Sequence, residues 1–161
     1  MAVCSTKKGA KNIIYRLTSE SKNMKPKAHI LIVEDKAILY KRLCLALMEE
    51  NYSVDKYTPS VVKALERIQS KRPDLVLLDI CLEGSLTGID LAKILHQEYK
   101  LPFIYVTDYE DDETFFTGLN TNCEHFLVKT KPHLDIQLVV RAIQTALQRN
   151  KKEPNTFTKE A

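Results

Sequence analysis

The sequence predicts an α/β fold, namely a doubly wound parallel sheet of five strands in the order 2-1-3-4-5 with helices on both faces. From His29 onward, short apolar runs alternate with segments of helical periodicity, which is the pattern of parallel βαβ units. Five such rounds fit in the chain. Several of the runs are almost continuously apolar, as strands covered on both faces must be. Right-handed crossovers then favour the order 2-1-3-4-5.

The strands are predicted where these apolar runs occur. In order they are His29–Val33, Ser53–Tyr57, Asp74–Asp79, Pro102–Thr107 and Glu124–Val128. The first, third and fourth contain almost no polar residues before their last positions, so we expect helices to cover both of their faces.

The helices are predicted between these runs and after the last of them. They are Lys36–Asn51, Ser60–Ser70, Gly88–Tyr99, Asp111–Leu119 and Leu134–Arg149. The last is the clearest, because apolar residues recur in it at helical spacing and predict one stripe packed on the sheet. This stripe consists of Ile136, Val139, Val140, Ile143 and Leu147.

Charge divides the chain into three parts. Residues 1–28 carry seven Lys/Arg and one Glu, residues 150–161 carry three basic and two acidic residues, and the part between them carries 14 basic and 18 acidic residues. We expect a disordered basic leader (1–28), one globular domain (29–149) and a polar tail (150–161) too short for a DNA-binding module. We expect the leader to contact neither membranes nor nucleic acid.

Several classes of protein are excluded by what the sequence lacks. No apolar run approaches the roughly 18 residues that span a bilayer, and the N-terminus has no secretory signal, so we expect a cytoplasmic protein. The four cysteines form no CxxC pair, and Cys44 and Cys123 are predicted to be reduced, small core residues. The histidines show no spacing typical of a zinc site.

Polar side chains stand at the predicted strand ends. Glu34 and Asp35 follow the first strand, Asp79 ends the third, Thr107 ends the fourth and Lys129 follows the fifth. Each alone is explained by a solvated strand terminus. Together they predict a cation site, because clustered carboxylates repel one another unless a cation or protons offset them. Magnesium prefers oxygen ligands, and a carboxylate can attack phosphorus to form an aspartyl-phosphate.

At these positions the sequence resembles the receiver domains of two-component response regulators. The resemblance covers about residues 29–149 and rests on ILIVED (Ile30–Asp35), DLVLLDICLEGSLTGIDLA (Asp74–Ala92), PFIYVT (Pro102–Thr107) and HFLVK (His125–Lys129). It implies a flavodoxin-like receiver fold, here of the stand-alone, single-domain type.

The resemblance also implies roles for individual residues. Asp79 would be the phosphoacceptor, and magnesium would be held by Glu34, Asp35, Asp79 and the backbone carbonyl of Cys81. Lys129 would neutralise charge on the phosphoryl oxygens. Thr107 would bind a phosphoryl oxygen afterwards.

The resemblance further implies a switch and its partners. Movement of Thr107 would be coupled to burial of Phe126, although Phe126 alone fits an ordinary core aromatic. The donor would be a sensor histidine kinase or a histidine phosphotransfer protein, and a downstream protein target would bind the face of helix four, strand five and helix five, where homodimers are also implied. Ile38 and Leu45 on helix one either form an exposed docking face beside the site or belong to the core.

Three features depart from the family pattern. Asp108 stands where a small residue is usual. It either repels the incoming phosphoryl group or its hydrolytic water, and so modulates hydrolysis, or it caps helix four. Thr130 replaces a proline after Lys129, which predicts an altered or strained loop. Cys81 and Tyr109, which flank the path of hydrolytic water in the family, are neither acids nor amides, so we expect a long-lived phosphorylated form.

The leading interpretation is therefore a phosphorylation-dependent signalling switch with only weak self-phosphorylation and self-dephosphorylation activity, not a conventional enzyme. The alternative, motivated by Asp108 and Thr130, is a receiver-like interaction module that no longer uses phosphorylation. A metal-dependent phosphatase is a third reading, but such enzymes have a second aspartate where this chain has Cys81.

Overall fold

Five parallel strands form one sheet in the order β2-β1-β3-β4-β5. The structure is a computed structural model that describes residues 25–108, 117–129 and 134–152. The strands are β1 (His29–Val33), β2 (Ser53–Val54), β3 (Leu75–Leu78), β4 (Phe103–Thr107) and β5 (His125–Val128). The predicted fold class and strand order are confirmed.

Helices follow each of the first three strands and the last. They are α1 (Ala37–Glu49), α2 (Val61–Ser70), α3 (Gly88–Ile94), which continues as a π-helix (Leu95–Tyr99), and α5 (Ile136–Lys152). Residues 117–119, between β4 and β5, are also helical and are called α4 below. The predicted leader and tail, and the start of the predicted fourth helix, lie largely outside the described residues.

The elements differ from the predictions mainly at their ends. β2 has two residues instead of five, because it pairs with β1 only at the start of that strand, through His29 with Ser53 and Ile30 with Val54. α5 continues three residues past Arg149, and the second half of the predicted third helix is a π-helix. Apolar spacing over five residues does not reveal a single π-helical turn, which occurs mostly as a local bulge within an α-helix.

The core consists of two apolar layers, one on each face of the sheet. Alternate residues of β1 contribute to each, with Ile30 and Ile32 facing one layer and Leu31 and Val33 the other. The first layer packs under α1 and α5 and includes the predicted stripe of α5, of which Val139, Val140 and Ile143 are fully buried. The second layer packs under α2 and α3. These layers fix the strand ends relative to one another.

The two cysteines that were predicted to be small core residues lie at the edge of the core. Cys44 and Cys123 are free thiols, half-buried, each packed against one of the two core layers. Within the described part of the chain, every helix is too short or too polar to cross a bilayer.

A capping box fixes the start of α3, the helix that follows the β3 loop. The Thr87 hydroxyl accepts from the backbone N–H of Asp90 at 3.3 Å, and the Asp90 carboxylate accepts from the Thr87 backbone N–H at 2.9 Å. The bonds from Thr87 hold the pKa of Asp90 below its usual value of 3.8. Two otherwise unpaired groups at the helix start are thereby satisfied.

The Thr87→Ala substitution is expected to lower the free energy of unfolding by about 1 kcal/mol at pH 7. A lowered folded-state pKa means that the carboxylate of Asp90 stabilises the fold above its unfolded-state pKa, and that this stabilisation disappears as the pH falls through the lowered value. The difference in the free energy of unfolding between wild type and variant, measured in urea, should therefore become smaller below about pH 4. Thr87→Ser, which keeps the hydroxyl, serves as the control; an equal loss in both variants, or none at pH 7, would contradict the assignment.

Candidate functional site

Four polar side chains are buried together at the carboxyl edge of the central strands. Glu34 follows β1, Asp79 follows β3, Thr107 ends β4 and Lys129 follows β5, and each is at most 6% exposed. Register places these positions side by side, since Val33 pairs with Leu78 and Thr107 pairs with Val128. Buried charged groups are rare unless they are paired, so these side chains form a polar cluster in which charges offset one another.

Lys129 is the centre of the charge network. Its Nζ lies 2.5 Å from Asp79 Oδ2 and 2.8 Å from Glu34 Oε2. Its backbone N–H donates to the Thr107 carbonyl at 2.7 Å, which ties the end of β5 to that of β4. The ammonium is thus held against two carboxylates by the strand ladder as well as by charge.

Hydrogen bonds to neighbouring backbone groups fix the position of Asp79. Its N–H donates to the Val33 carbonyl at 2.9 Å, and its Oδ1 accepts from the Ile80 N–H at 2.7 Å. Oδ2 faces Lys129. The carboxylate is therefore oriented into the site from the end of β3 and does not point into the apolar layers.

Negative charge exceeds positive charge inside the cluster. Carboxylate oxygens of Glu34, Asp35 and Asp79 all lie within 4.8 Å of one another. Among the described residues, Asp35 Oδ1 is buried without a hydrogen-bond partner. Burial raises the pKa of Glu34 to about 7, against the lowering effect of Lys129. Three carboxylates, one with an unsatisfied oxygen, fit a hard divalent cation that takes oxygen ligands.

Gly88 is a site residue that the sequence analysis recognised only as a helix start. A Cβ at this position would lie 2.0 Å from the Asp79 carbonyl oxygen and 2.8 Å from Ile80 Cα. The Gly88 N–H also donates to the Ile80 carbonyl at 2.8 Å. The first turn of α3 therefore presses directly on the backbone that carries Asp79. The sequence signal was a glycine at the first helical position, which by itself is not specific.

Asp108 forms an ion pair with Lys36, a residue that the sequence analysis did not single out. Lys36 Nζ donates to Asp108 Oδ2, and this bond raises the pKa of Lys36. The same Asp108 oxygen lies 3.9 Å from Lys129 Nζ. The predicted cap by Asp108 concerns the start of the fourth predicted helix, which lies outside the described residues. Tyr109 and Thr130 lie outside them as well.

The predicted switch residues lie on neighbouring strands. Thr107 is fully buried, and Phe126 is half-buried with its ring centroid 5.2 Å from that of Tyr105. A Cβ on Gly118 of α4 would come within 2.6 Å of the Phe126 ring. The aromatic therefore packs between β4 and α4. The side chain of Cys81 is exposed on the loop after β3.

The outer face of α1, beside Lys36, carries exposed apolar side chains among charged ones. Ile38 is 80% exposed and Leu45 is 61% exposed, so of the two alternatives the exposed face is correct and the core assignment is wrong. A cavity of about 490 Å³ at the start of this helix is lined by Lys36, Ala37, Ile38, Leu39 and Arg42. Contiguous exposed apolar surface rimmed by polar residues is typical of interaction sites.

Comparison with known proteins gives a consistent result. The model of the response regulator receiver domain matches residues 30–150. The DNA-binding response regulator MtrA of Mycobacterium tuberculosis is 32% identical over 125 residues, which are 78% of this chain and 53% of MtrA. The chain thus spans about half the length of the curated relatives it matches.

Two solved structures are similar over most of the chain. The signal receiver domain of a modulated diguanylate cyclase from Desulfovibrio desulfuricans G20 has a TM-score of 0.71 and 31% identity, covering 79% of this chain and 98% of that one. The BeF3-activated N-terminal receiver domain of Klebsiella pneumoniae RstA has a TM-score of 0.66 and 28% identity, covering 74% and 98%.

Proposed function

Since this chain belongs to the family of response regulator receiver domains of two-component systems, we propose that it is a phosphorylation switch whose phosphoacceptor is Asp79. The family acts as phosphoacceptor regulators and not as conventional enzymes. The observation that carries the proposal is the contact of 2.5 Å between Lys129 Nζ and Asp79 Oδ2 inside a cluster of three carboxylates. This contact supports the proposal, because phosphoryl transfer to a carboxylate requires a fixed positive charge beside it.

In the proposed reaction, an Asp79 carboxylate oxygen forms a bond to phosphorus. The bond between phosphorus and the donor nitrogen of a phosphohistidine breaks, and its electron pair stays with the imidazole. Lys129 offsets charge on the phosphoryl oxygens, and Thr107 binds one of them after transfer. Lys129 has three N–H donors, so it can keep a carboxylate while it meets the phosphoryl group.

We propose that Mg²⁺ is held by Glu34, Asp35 and Asp79, together with the backbone carbonyl of Cys81. When bound, the ion would supply positive charge that offsets the negative charge on the phosphoryl oxygens. The buried Asp35 Oδ1 without a partner is the observation that favours this ion, because such an oxygen is costly unless a cation or donor satisfies it.

Magnesium is expected to stabilise the folded chain. At a concentration one hundred times its dissociation constant, the ion should raise the free energy of unfolding by about 2.7 kcal/mol. Thermal melts with and without MgCl₂ measure this effect. Asp35→Asn should lose most of the stabilisation, while Asp74→Asn, which alters a carboxylate at the opposite end of β3, should keep it. Equal stabilisation of both variants would place the ion elsewhere.

The phosphoacceptor is tested by mass spectrometry. Incubation with MgCl₂ and phosphoramidate should add one phosphoryl group to the intact protein, and Asp79→Asn should abolish the addition. Omission of magnesium should also abolish it. Unmodified wild-type protein would favour the alternative function, a receiver-like interaction module without phosphate, for which the Asp108 carboxylate beside Lys129 is the motivating observation.

The proposed output is a change in the face formed by α4, β5 and α5. Phosphate bound at Thr107 would favour inward packing of Phe126, and the contact of this ring with Gly118 would pass the change to α4. A downstream protein, or a second copy of the chain, would bind this face. We further propose a cytoplasmic location. We also propose a long-lived phosphorylated form, because Cys81 and Tyr109 are neither acids nor amides and so do not orient hydrolytic water well.

The proposed donor is a sensor histidine kinase or a histidine phosphotransfer protein. The exposed apolar face of α1 supports this part of the proposal, because Ile38 and Leu45 lie seven residues apart on the helix that begins next to the site. A helical partner with a complementary apolar stripe would bring its phosphohistidine close to Asp79.

A further inference from the structure

The rim of the carboxylate site carries an ion pair that joins two strand ends. Lys36, in the turn after β1, donates to Asp108, which directly follows β4. The two side chains are 56% and 40% exposed, whereas Lys129 beneath them is 6% exposed. The pair therefore lies between solvent and the buried ammonium.

We propose that Asp108 is a specificity-determining residue that slows phosphorylation by small anionic donors, because its carboxylate lies 3.9 Å from the Lys129 ammonium that phosphoryl oxygens must reach. The inference rests on the proposed function, since it concerns the rate of transfer to Asp79. Lys36 keeps the Asp108 carboxylate at this position by ion pairing.

The donor groups of Lys129 explain why the position of Asp108 matters. Two of the three ammonium N–H groups are needed for Glu34 and Asp79, at 2.8 and 2.5 Å. The remaining one has to serve an incoming phosphoryl oxygen, and the Asp108 carboxylate competes for it. Asp108 also repels the phosphoryl group directly, with an energy that grows with the charge on the donor and falls with salt.

Donors of different charge separate this electrostatic effect from other causes. Phosphoramidate is singly negative near neutral pH and releases ammonia as Asp79 forms its bond to phosphorus. Acetyl phosphate is doubly negative and releases acetate in the same displacement. Both reactions balance without a further reactant. A carboxylate at the rim must therefore slow acetyl phosphate more than phosphoramidate.

The test compares initial rates of labelling in wild type, Asp108→Asn and Glu66→Gln with each donor in MgCl₂. Asp108→Asn keeps the size of the side chain and removes its charge, while Glu66→Gln removes an exposed charge on α2. Asp108→Asn is expected to react about tenfold faster with acetyl phosphate, and less than that with phosphoramidate. The gain should shrink as salt rises, and Glu66→Gln should match wild type.

Other results overturn the inference. Equal rates in wild type and Asp108→Asn do so, as does a gain that is the same for both donors and independent of salt. A slower variant that needs more magnesium would assign Asp108 to the cation instead. Absence of label in every variant would remove the proposed function itself, and with it this inference. Circular dichroism and thermal melts confirm that the variants are folded before rates are compared.

Discussion

Replacement of Lys129 by methionine is expected to lower the free energy of unfolding by about 3 to 5 kcal/mol in magnesium-free buffer. The ammonium is the counter-charge of both Glu34 and Asp79, and all three side chains are almost fully buried. Methionine fills a similar volume, so the loss measures charge and not packing. Two buried carboxylates would then remain with only protons to offset them.

Lys27→Met is the matched control for this experiment. Lys27 pairs with Glu50 at 3.6 Å, but both side chains are well exposed, at 51% and 39%. Exposed pairs of this kind contribute less than about 1 kcal/mol. Urea unfolding of both variants should therefore give a large loss for Lys129→Met and little for Lys27→Met. Similar losses in the two variants would mean that Lys129 has no special place in the cluster.

Gly88→Ala is expected to be strongly disruptive although it adds only one carbon atom. The added Cβ would lie 2.0 Å from the Asp79 carbonyl oxygen and 2.8 Å from Ile80 Cα. Both of these neighbours are backbone atoms, so no rotamer change can move them away. Either α3 shifts outward or the end of β3 is displaced. We expect a loss of about 3 kcal/mol in stability, and a loss of at least roughly tenfold in the labelling rate, since misplacing a nucleophile is costly.

Gly118→Ala provides the comparison. Its added Cβ would meet the Phe126 ring at 2.6 Å, which is a side chain that can rotate. This variant should lose less stability than Gly88→Ala in urea unfolding, because the ring that it meets can move and the backbone at Asp79 is untouched. Wild-type labelling by Gly88→Ala would contradict the argument that this glycine positions the phosphoacceptor.

The sheet and most of the site were predictable because they depend on local pattern. Apolar runs mark the strands, and a parallel sheet brings their carboxyl ends to one edge. Asp79 and Lys129 could therefore be placed in one crevice although they are 50 residues apart. Their place at one edge follows from strand order and from the polar residue after each strand, whereas their contact of 2.5 Å is given by the structure alone.

The parts that could not be predicted depend on contacts between segments without regular patterns. Lys36 and Asp108 are 72 residues apart, and no spacing or pattern in the sequence indicates that their side chains pair. The close approach of Gly88 to Asp79 depends on the angle at which α3 leaves the sheet, and no periodicity encodes that angle. The exposure of Ile38 was undecided for a similar reason, since spacing defines a helix face but not what covers it.

The most direct test of the phosphoryl switch is to locate the acyl phosphate in the labelled protein. Protein incubated with phosphoramidate and MgCl₂ is reduced with borohydride, which converts an aspartyl-phosphate to homoserine, and is then digested for peptide sequencing by mass spectrometry. The modification is predicted at Asp79 and at no other acidic residue, with none when EDTA replaces magnesium. Modification at Asp35 or Asp108 with Asp79 intact would contradict the assignment of the nucleophile.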